Sequence, residues 1–283
     1  MPTNIRKTAL RIGAVAYDPK VVTIWEGFKE YFARIGVNID YILYSNYDSQ
    51  VDATLSGEVD VAWNSPLAWV KSQIVSGEKC RAIAMRDSDR DLTTKILVRN
   101  NSMLTSLSDL RGKRIAVGAS DSPQATLIPL GMIAAAGIDP MLECEVVFHE
   151  VMVGKHGDHV GGERDAARAL AAGQVDAACV ADRNYLVFIN EGTLDPGGTR
   201  VLTDTLPFDH CNFTVRADLP DERFKPFVDG LIAMSFQDPR VRSLMELEGL
   251  KQWLPGRTTG YAQLEKAVQK FCFFDAEGEI TNA

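Results

Sequence analysis

The chain says one phrase twice, and that repeat limits what it can fold into. Residues 53–66 read A-T-L-S-G-E-V-D-V-A-W-N-S-P, and residues 169–182 read A-L-A-A-G-Q-V-D-A-A-C-V-A-D. Each time a short amphipathic stretch stops at a glycine, Gly57 or Gly173. A polar residue and Val-Asp follow (Asp60, Asp176), then a small apolar run leading into polar residues. Glycine suits the position after a helix because it reaches positive φ without a Cβ clash. Val-Asp-x-Ala then reads as the entry to a short buried strand. Two copies of a helix–glycine–strand unit, one per half, point to two similar α/β lobes facing each other.

A chain of 283 residues can bury a substantial core and accommodate two domains. Its net charge of −8 argues against a nucleic-acid surface, and no basic cluster reverses that. No apolar run approaches the ~20 residues of a membrane span, so membrane insertion is not expected. The N-terminal residues pass directly into Thr8–Tyr17, which looks like a first core strand, with no apolar signal region before it. The five cysteines (Cys80, Cys144, Cys179, Cys211, Cys272) are odd in number and widely spaced, with no CxxC pair. Such usage fits a reducing compartment. The chain as it stands therefore reads as cytoplasmic, and as periplasmic if an export signal has been removed.

Strands and helices alternate along the sequence. Strands are expected at 10–16, 37–43, 59–63, 81–86 and 94–98, with helices over 21–35 and 49–55 and one opening at Ser65-Pro66. In the second half a short helix near Ser106 precedes a strand ending at Gly118, and Ser122-Pro123 opens a helix to about Ala136. Further strands are expected at 143–148, 175–180 and 213–216. Helices are expected at 163–172, 183–191, 221–236, 239–248 and 261–271. This alternation means α/β sheets with helices on both faces.

Several of these phrases resemble a known family. Asp109-Leu-Arg-Gly-Lys-Arg-Ile-Ala-Val-Gly118, then Ser122 and Leu127-Ile-Pro129, are similar to the second lobe of type II periplasmic binding proteins. The phosphate/phosphite/phosphonate-binding subgroup of ABC importers is the nearest in kind. The likeness extends to Val59–Ala68, Gly162–Leu170 and Gly173–Ala178, and covers roughly residues 8–250. It implies a two-lobed fold with the ligand in a cleft between lobes joined by two crossing strands. The expected lobes are 1–98 plus 213–283, and 99–212, with hinge strands near 97–101 and 212–216. It also implies hinge closure on a small molecule and an ABC-transporter permease as partner. The protein is expected to be a monomer or weak dimer, with no cofactor and no metal.

In the family pattern the second-lobe helix N-terminus receives an anion through free N–H groups and the positive dipole end. Here that turn reads Ser120-Asp121-Ser122-Pro123-Gln124. Pro123 removes a donor and Asp121 adds a negative charge, so a carboxylate, an amide or a zwitterion stays open beside a phosphonate. Arg164 stands where the family places a His, and its planar fork suits a carboxylate; the alternative is a surface pair with Asp165 or Glu163. The run His149–His159 holds three His and two carboxylates, yet its spacing is not HExxH and a polar loop explains it better than a metal.

From the first lobe the candidate ligand residues are Tyr17, Ser45, Tyr47, Trp63, Asn64 and Ser65. Trp63 and Tyr47 could sandwich an apolar or cationic group. Asn64 and Ser65 lie at a strand end, the usual crevice of an open α/β sheet. The second lobe adds Ser122, Gln124, Arg164 and Asp182, and the return crossing adds Cys211. Asp209-His210-Cys211 suggests a second possibility, because a cysteine beside a histidine can serve as nucleophile or acid–base group. Neighbours on a strand point to opposite faces, so His210 and Cys211 need not touch.

Three readings compete. One is a solute-binding protein for a small anionic or zwitterionic molecule. The second is a cytoplasmic enzyme on the same fold acting on a small metabolite, with Cys211, His210 and Asp209 at its centre. The third, a ligand-sensing half of a regulator, is weakened because no helix-turn-helix has room.

Overall fold

A computed structural model describes residues 9–156 and 161–281. The chain runs β1 (Leu10–Val15), α1 (Lys20–Arg34), β2 (Ile39–Tyr44), α2 (Tyr47–Ser56), β3 (Val61–Asn64), α3 (Pro66–Ser76), β4 (Cys80–Arg86) and β5 (Thr94–Arg99). There follow β6 (Arg114–Ala116), α4 (Ile128–Ala135), α5 (Pro140–Glu143), β7 (Glu145–Val147), α6 (Gly161–Ala171), β8 (Ala177–Ala181), α7 (Asp182–Asn190) and β9 (Thr199–Asp204). The last elements are β10 (Asn212–Arg216), α8 (Asp221–Ile232), α9 (Pro239–Glu248), β11 (Trp253–Pro255) and α10 (Ala262–Lys270). Two compact units result: unit 1 is Met1–Arg90 with Cys211–Thr258, and unit 2 is Asp91–His210 with Thr259–Ala283.

Unit 1 is built on a six-stranded sheet in the order β11-β4-β10-β3-β1-β2. β1 runs parallel to β2 and β3, while β10 is antiparallel to β3 and β4. Alternation along β1 sends Leu10, Ile12 and Ala14 into one large core. The apolar residues of α1 recur at helical spacing, and Val21, Ile24, Trp25, Phe28, Tyr31 and Phe32 form one buried stripe against that core. The opposite face is smaller, with Val15, Tyr47, Val51 and Ala68 packed together.

Unit 2 holds a five-stranded sheet in the order β7-β6-β8-β5-β9. β6 is parallel to β7 and β8, and β5 is antiparallel to β8 and β9. Both of its faces are covered. Ile96, Val98, Ile115 and Cys179 pack with Leu130 and Ile133 of α4 on one side. Leu97, Ala116, Ala178 and Val180 pack with Ala166 and Leu170 of α6 and Phe188 of α7 on the other.

The repeated phrase makes the same lock in each unit. Gly57 and Gly173 both take left-handed φ, 82° and 72°, and end α2 and the α6 segment. The Asp60 N–H donates to the Arg11 carbonyl, and the Arg11 N–H donates to Asp60 Oδ2 at 2.8 Å. In unit 2 the Asp176 N–H donates to the Arg114 carbonyl, and the Arg114 N–H donates to Asp176 Oδ2 at 3.0 Å. Each Asp thus aligns the entry of β3 or β8 with the neighbouring parallel strand. The opposite ends of those strands are left for other work.

The expected lobe boundaries need two corrections. β5 and β10 are interior strands of their own sheets, so the chain changes unit beside them, at Arg90–Asp91 and His210–Cys211. A third change falls at Thr258–Thr259, because the C-terminal helix belongs with unit 2 rather than with the first lobe. There α10 packs along α4, Lys270 pairs with Asp139 at 3.3 Å, and Gln263 donates to the Leu206 carbonyl at 2.8 Å. Sequence patterning also missed β9 and β11. Where one helix was expected after Ser122, a π-helical turn over Pro123–Leu127 precedes α4.

Candidate functional site

In unit 1 the parallel strands β1, β2 and β3 end on one edge of the sheet. Tyr17 follows β1, Ser45 follows β2, and Asn64 and Ser65 close β3. Tyr17 is half-buried and Ser45 exposed. The other candidates are buried and make contacts within unit 1. Tyr47, the first residue of α2, is 2% exposed. The Asn64 carboxamide accepts from Gln50 Nε2 at 2.8 Å and donates to Ser72 Oγ at 3.3 Å, which ties α2 to α3. Ser65 caps α3, its Oγ accepting the Ala68 N–H at 3.1 Å, with Pro66 in the first helical turn. Trp63 is 7% exposed and sits among Phe213 and Trp253, with ring centroids 4.6 and 5.8 Å away. The expected sandwich of Trp63 with Tyr47 is not formed: Tyr47 belongs to the small core on the other face.

Sequence reasoning missed the charged group beside Trp63. The Arg86 guanidinium lies 5.0 Å from the Trp63 ring centroid. It forks onto Asp89, with Nε–Oδ2 2.5 Å and Nη2–Oδ1 3.0 Å, and its Nη1 reaches Glu248 Oε2 at 3.0 Å. Burial opposes the Arg86 charge, but Asp89 and Glu248 outweigh it and hold the guanidinium firmly protonated. The Glu248 carboxyl is pushed up by burial, with Arg86 acting the other way. No local motif links residues 162 positions apart, so no sequence signal could have found this group.

In unit 2 the ends of β6, β7 and β8 likewise share an edge. Ser122 Oγ caps the following turn, accepting the Ala125 N–H at 3.2 Å. Gln124 is 1% exposed; its carbonyl accepts from Thr94 Oγ1 at 2.6 Å and its Nε2 reaches Glu163 at 3.4 Å. Glu163, also missed, is a buried carboxylate whose Oε2 accepts the Ala181 N–H and Asn184 Nδ2, both at 2.8 Å. Asp182 is exposed at the start of α7. The Nε and Nη2 of Arg164 fork onto Glu191 at 2.6 and 3.2 Å, and its guanidinium stacks 5.3 Å from Phe188. Arg164 is therefore committed to a structural pair, with a partner 27 residues on rather than the adjacent Glu163 or Asp165.

The loop after β7 is drawn onto the turn after β6. Glu150 accepts from both the N–H and the Oγ of Ser120, each at 3.2 Å. Buried Asp121 accepts the N–H groups of Gly154 and His156 at 2.6 and 3.2 Å. His149 Nε2 is buried with no hydrogen-bond partner among the described residues, and burial lowers the pKa of the ring. Asp158 and His159, part of the His-rich run, lie outside the described residues.

A family model described as ABC transporter, phosphonate, periplasmic substrate-binding protein matches residues 13–261. The chain belongs to that family. A Prochlorococcus marinus (strain MIT 9301) relative, the probable ABC transporter phosphite binding protein PhnD1, is 26% identical over 117 residues. That alignment spans 39% of this chain and 39% of the relative. The structure of PhnD1 in complex with methylphosphonate superposes with a TM-score of 0.64 at 18% identity, covering 93% of this chain and 98% of that one. XAC2383 from Xanthomonas citri bound to ATP gives a TM-score of 0.69 at 16% identity over 93% and 97% of the two chains. The aliphatic sulphonate binding protein SsuA from Escherichia coli gives 0.57 at 18% identity over 93% and 91%. These likenesses establish the type II periplasmic-binding-protein fold. Among the described residues no helix is long and apolar enough to cross a membrane.

Within this family member the Asp209-His210-Cys211 run is buried throughout. Asp209 accepts the Asp91 N–H at 3.2 Å and packs against Gly260, where an added Cβ would lie 2.2 Å from the Asp209 carboxyl carbon. The His210 carbonyl accepts from the Tyr261 hydroxyl at 2.8 Å. Cys211 is 2% exposed in the unit 1 core that holds Trp63 and Phe213. Burial also pushes the Cys179 thiol up to about 12, with Glu163 adding to it, which makes Cys179 an inert core residue.

Proposed function

We propose that the protein captures a small polar molecule and delivers it to the permease of an ABC importer. Membership of the periplasmic substrate-binding family over residues 13–261 carries this reading. Each unit supports it with polar groups at the carboxyl ends of its parallel strands, where open α/β sheets hold ligands. In unit 1 the accessible groups are Tyr17 and Ser45; in unit 2 they are Ser120 and Asp182. Trp63, Asn64, Ser65, Ser122 and Gln124 fix the shape of those edges from beneath. The family also favours a periplasmic setting over the cytoplasmic one read from the N-terminus and cysteines.

The catalytic reading has less behind it, since Cys211 packs among aromatic side chains. Native mass spectrometry of freshly purified protein, followed by denaturation to release bound molecules, tests the proposal. One stoichiometric, unmodified small molecule is expected. A pair of related compounds, or an adduct on Cys211, would overturn it in favour of an enzyme. The same spectra read the oligomeric state, for which a monomer or weak dimer is proposed.

A further inference from the structure

Two donors of one residue, the N–H and the Oγ of Ser120, converge on a single oxygen, Glu150 Oε2, at 3.2 Å each. Convergent donors on a turn that leads into a helix are the means by which proteins hold an oxyanion. Here the chain's own carboxylate already occupies them. Packing does not force that contact, because Glu150 itself is exposed. The surrounding loop, however, is held firmly. The His149 N–H donates to the Gly118 carbonyl at 3.2 Å, and Asp121 grips Gly154 and His156 from the other side. Gly162 admits the His149 carbonyl to a place only 2.6 Å from where a Cβ would stand. The backbone carrying Glu150 is thus fixed beside Ser120 while the side chain remains free to leave.

We propose that Glu150 is a built-in competitor for the Ser120 donor pair and sets the selectivity of this edge against phosphate-type oxyanions. The inference rests on the reading that the strand-end edge of unit 2 receives ligand. An incoming oxyanion must displace the Glu150 carboxylate and then sit close to both its charge and that of Asp121. A neutral or cationic group meets no such opposition and can bind with Glu150 in place.

Isothermal titration of inorganic phosphate and of methylphosphonate into the parent, Glu150→Gln, Glu150→Asp and Glu150→Gln/Ser120→Ala proteins tests this. Glu150→Gln keeps the shape and removes the charge, while Glu150→Asp withdraws the carboxylate by one methylene. Both single variants are expected to bind at least one of the anions about tenfold or more tighter than the parent, and the double variant to lose that gain. Equal affinity in parent and Glu150→Gln would overturn the proposal, as would binding by neither at millimolar anion. If a small molecule still co-purifies with the parent, such a result overturns this inference alone. If none does, the solute-binding reading falls with it.

Discussion

Replacing Arg86 with alanine is expected to destabilise unit 1 by about 3–5 kcal/mol, the cost of leaving a buried ion group without its cation. The side chains involved are well withdrawn from water: Arg86 is 14% exposed, Asp89 0% and Glu248 9%. The substitution takes the guanidinium from two carboxylates, of which Asp89 loses both of its fork contacts at once. For a domain of this size that loss corresponds to a fall of roughly 10–17 °C in Tm. Tryptophan fluorescence isolates the affected transition, because Trp25, Trp63, Trp69 and Trp253 all belong to unit 1. The pH dependence has a definite sign. Burial raises the folded-state pKa of Glu248, so its contribution is fully present below the ordinary carboxyl pKa and is lost as pH rises through the raised value. Arg86 opposes that rise, so the deficit of Arg86→Ala should be smaller at pH 5 than at pH 8. Removing the whole group, as Arg86→Met with Asp89→Asn and Glu248→Gln, should recover most of the loss, since apolar or neutral replacements of buried ion sets are often near neutral. A single Arg86→Ala variant within about 1 kcal/mol of the parent would refute the pairing.

Arg164→Ala should change ligand affinity less than about threefold. It should also release the Glu191 carboxyl, now drawn down to about 2 by Arg164, toward its ordinary value in an NMR titration; an unmoved Glu191 would deny the pair. Because that pKa is depressed, the pair's stabilisation is present above the ordinary carboxyl pKa and fades as pH falls toward 2. Cys211→Ser should keep affinity within about tenfold while lowering the unit 1 melting temperature, and a loss beyond a hundredfold at unchanged stability would return Cys211 to the centre of the site. Gly256→Ala should cost about 1–3 kcal/mol by the same fluorescence melt, because its Cβ would stand 2.2 Å from the backbone oxygen of Ala82. A parent-like melt would show that β4 and the chain beyond β11 are not so closely packed.

What could be read from the sequence depended on how far apart the cooperating residues lie. Helix stripes such as Val21–Phe32 and caps such as Ser65-Pro66 are set by residues within a turn or two, and they stand where patterning put them. The repeated Gly-x-Val-Asp phrase marked the right strands, and its aspartates align the entries of those strands with their neighbours. The strands β9 and β11 escaped because they are short or partly exposed and take their partners, β5 and β4, from distant parts of the chain. Arg164 is a ligand candidate through its place in the family pattern, and the surface pair offered as its alternative was with Glu163 or Asp165, since a sequence does not show Glu191, which the fold brings to its fork.

The same limit explains the charge of the candidate edge. Asp121 was legible as an acid placed where an anion would be received, since it sits within the turn itself. Glu150 was visible only as one carboxylate in a His-rich run, 30 residues from the Ser120 it meets. Both bring a carboxylate to the turn after β6, where the family pattern would receive an anion. Buried Asp121 holds loop backbone through its Oδ2, whereas exposed Glu150 occupies donors that a ligand could use. Removing Asp121 should therefore loosen the loop, and removing the Glu150 charge should change what binds. The titrations of the Glu150 variants, set beside a melt of an Asp121→Asn variant, separate those two roles.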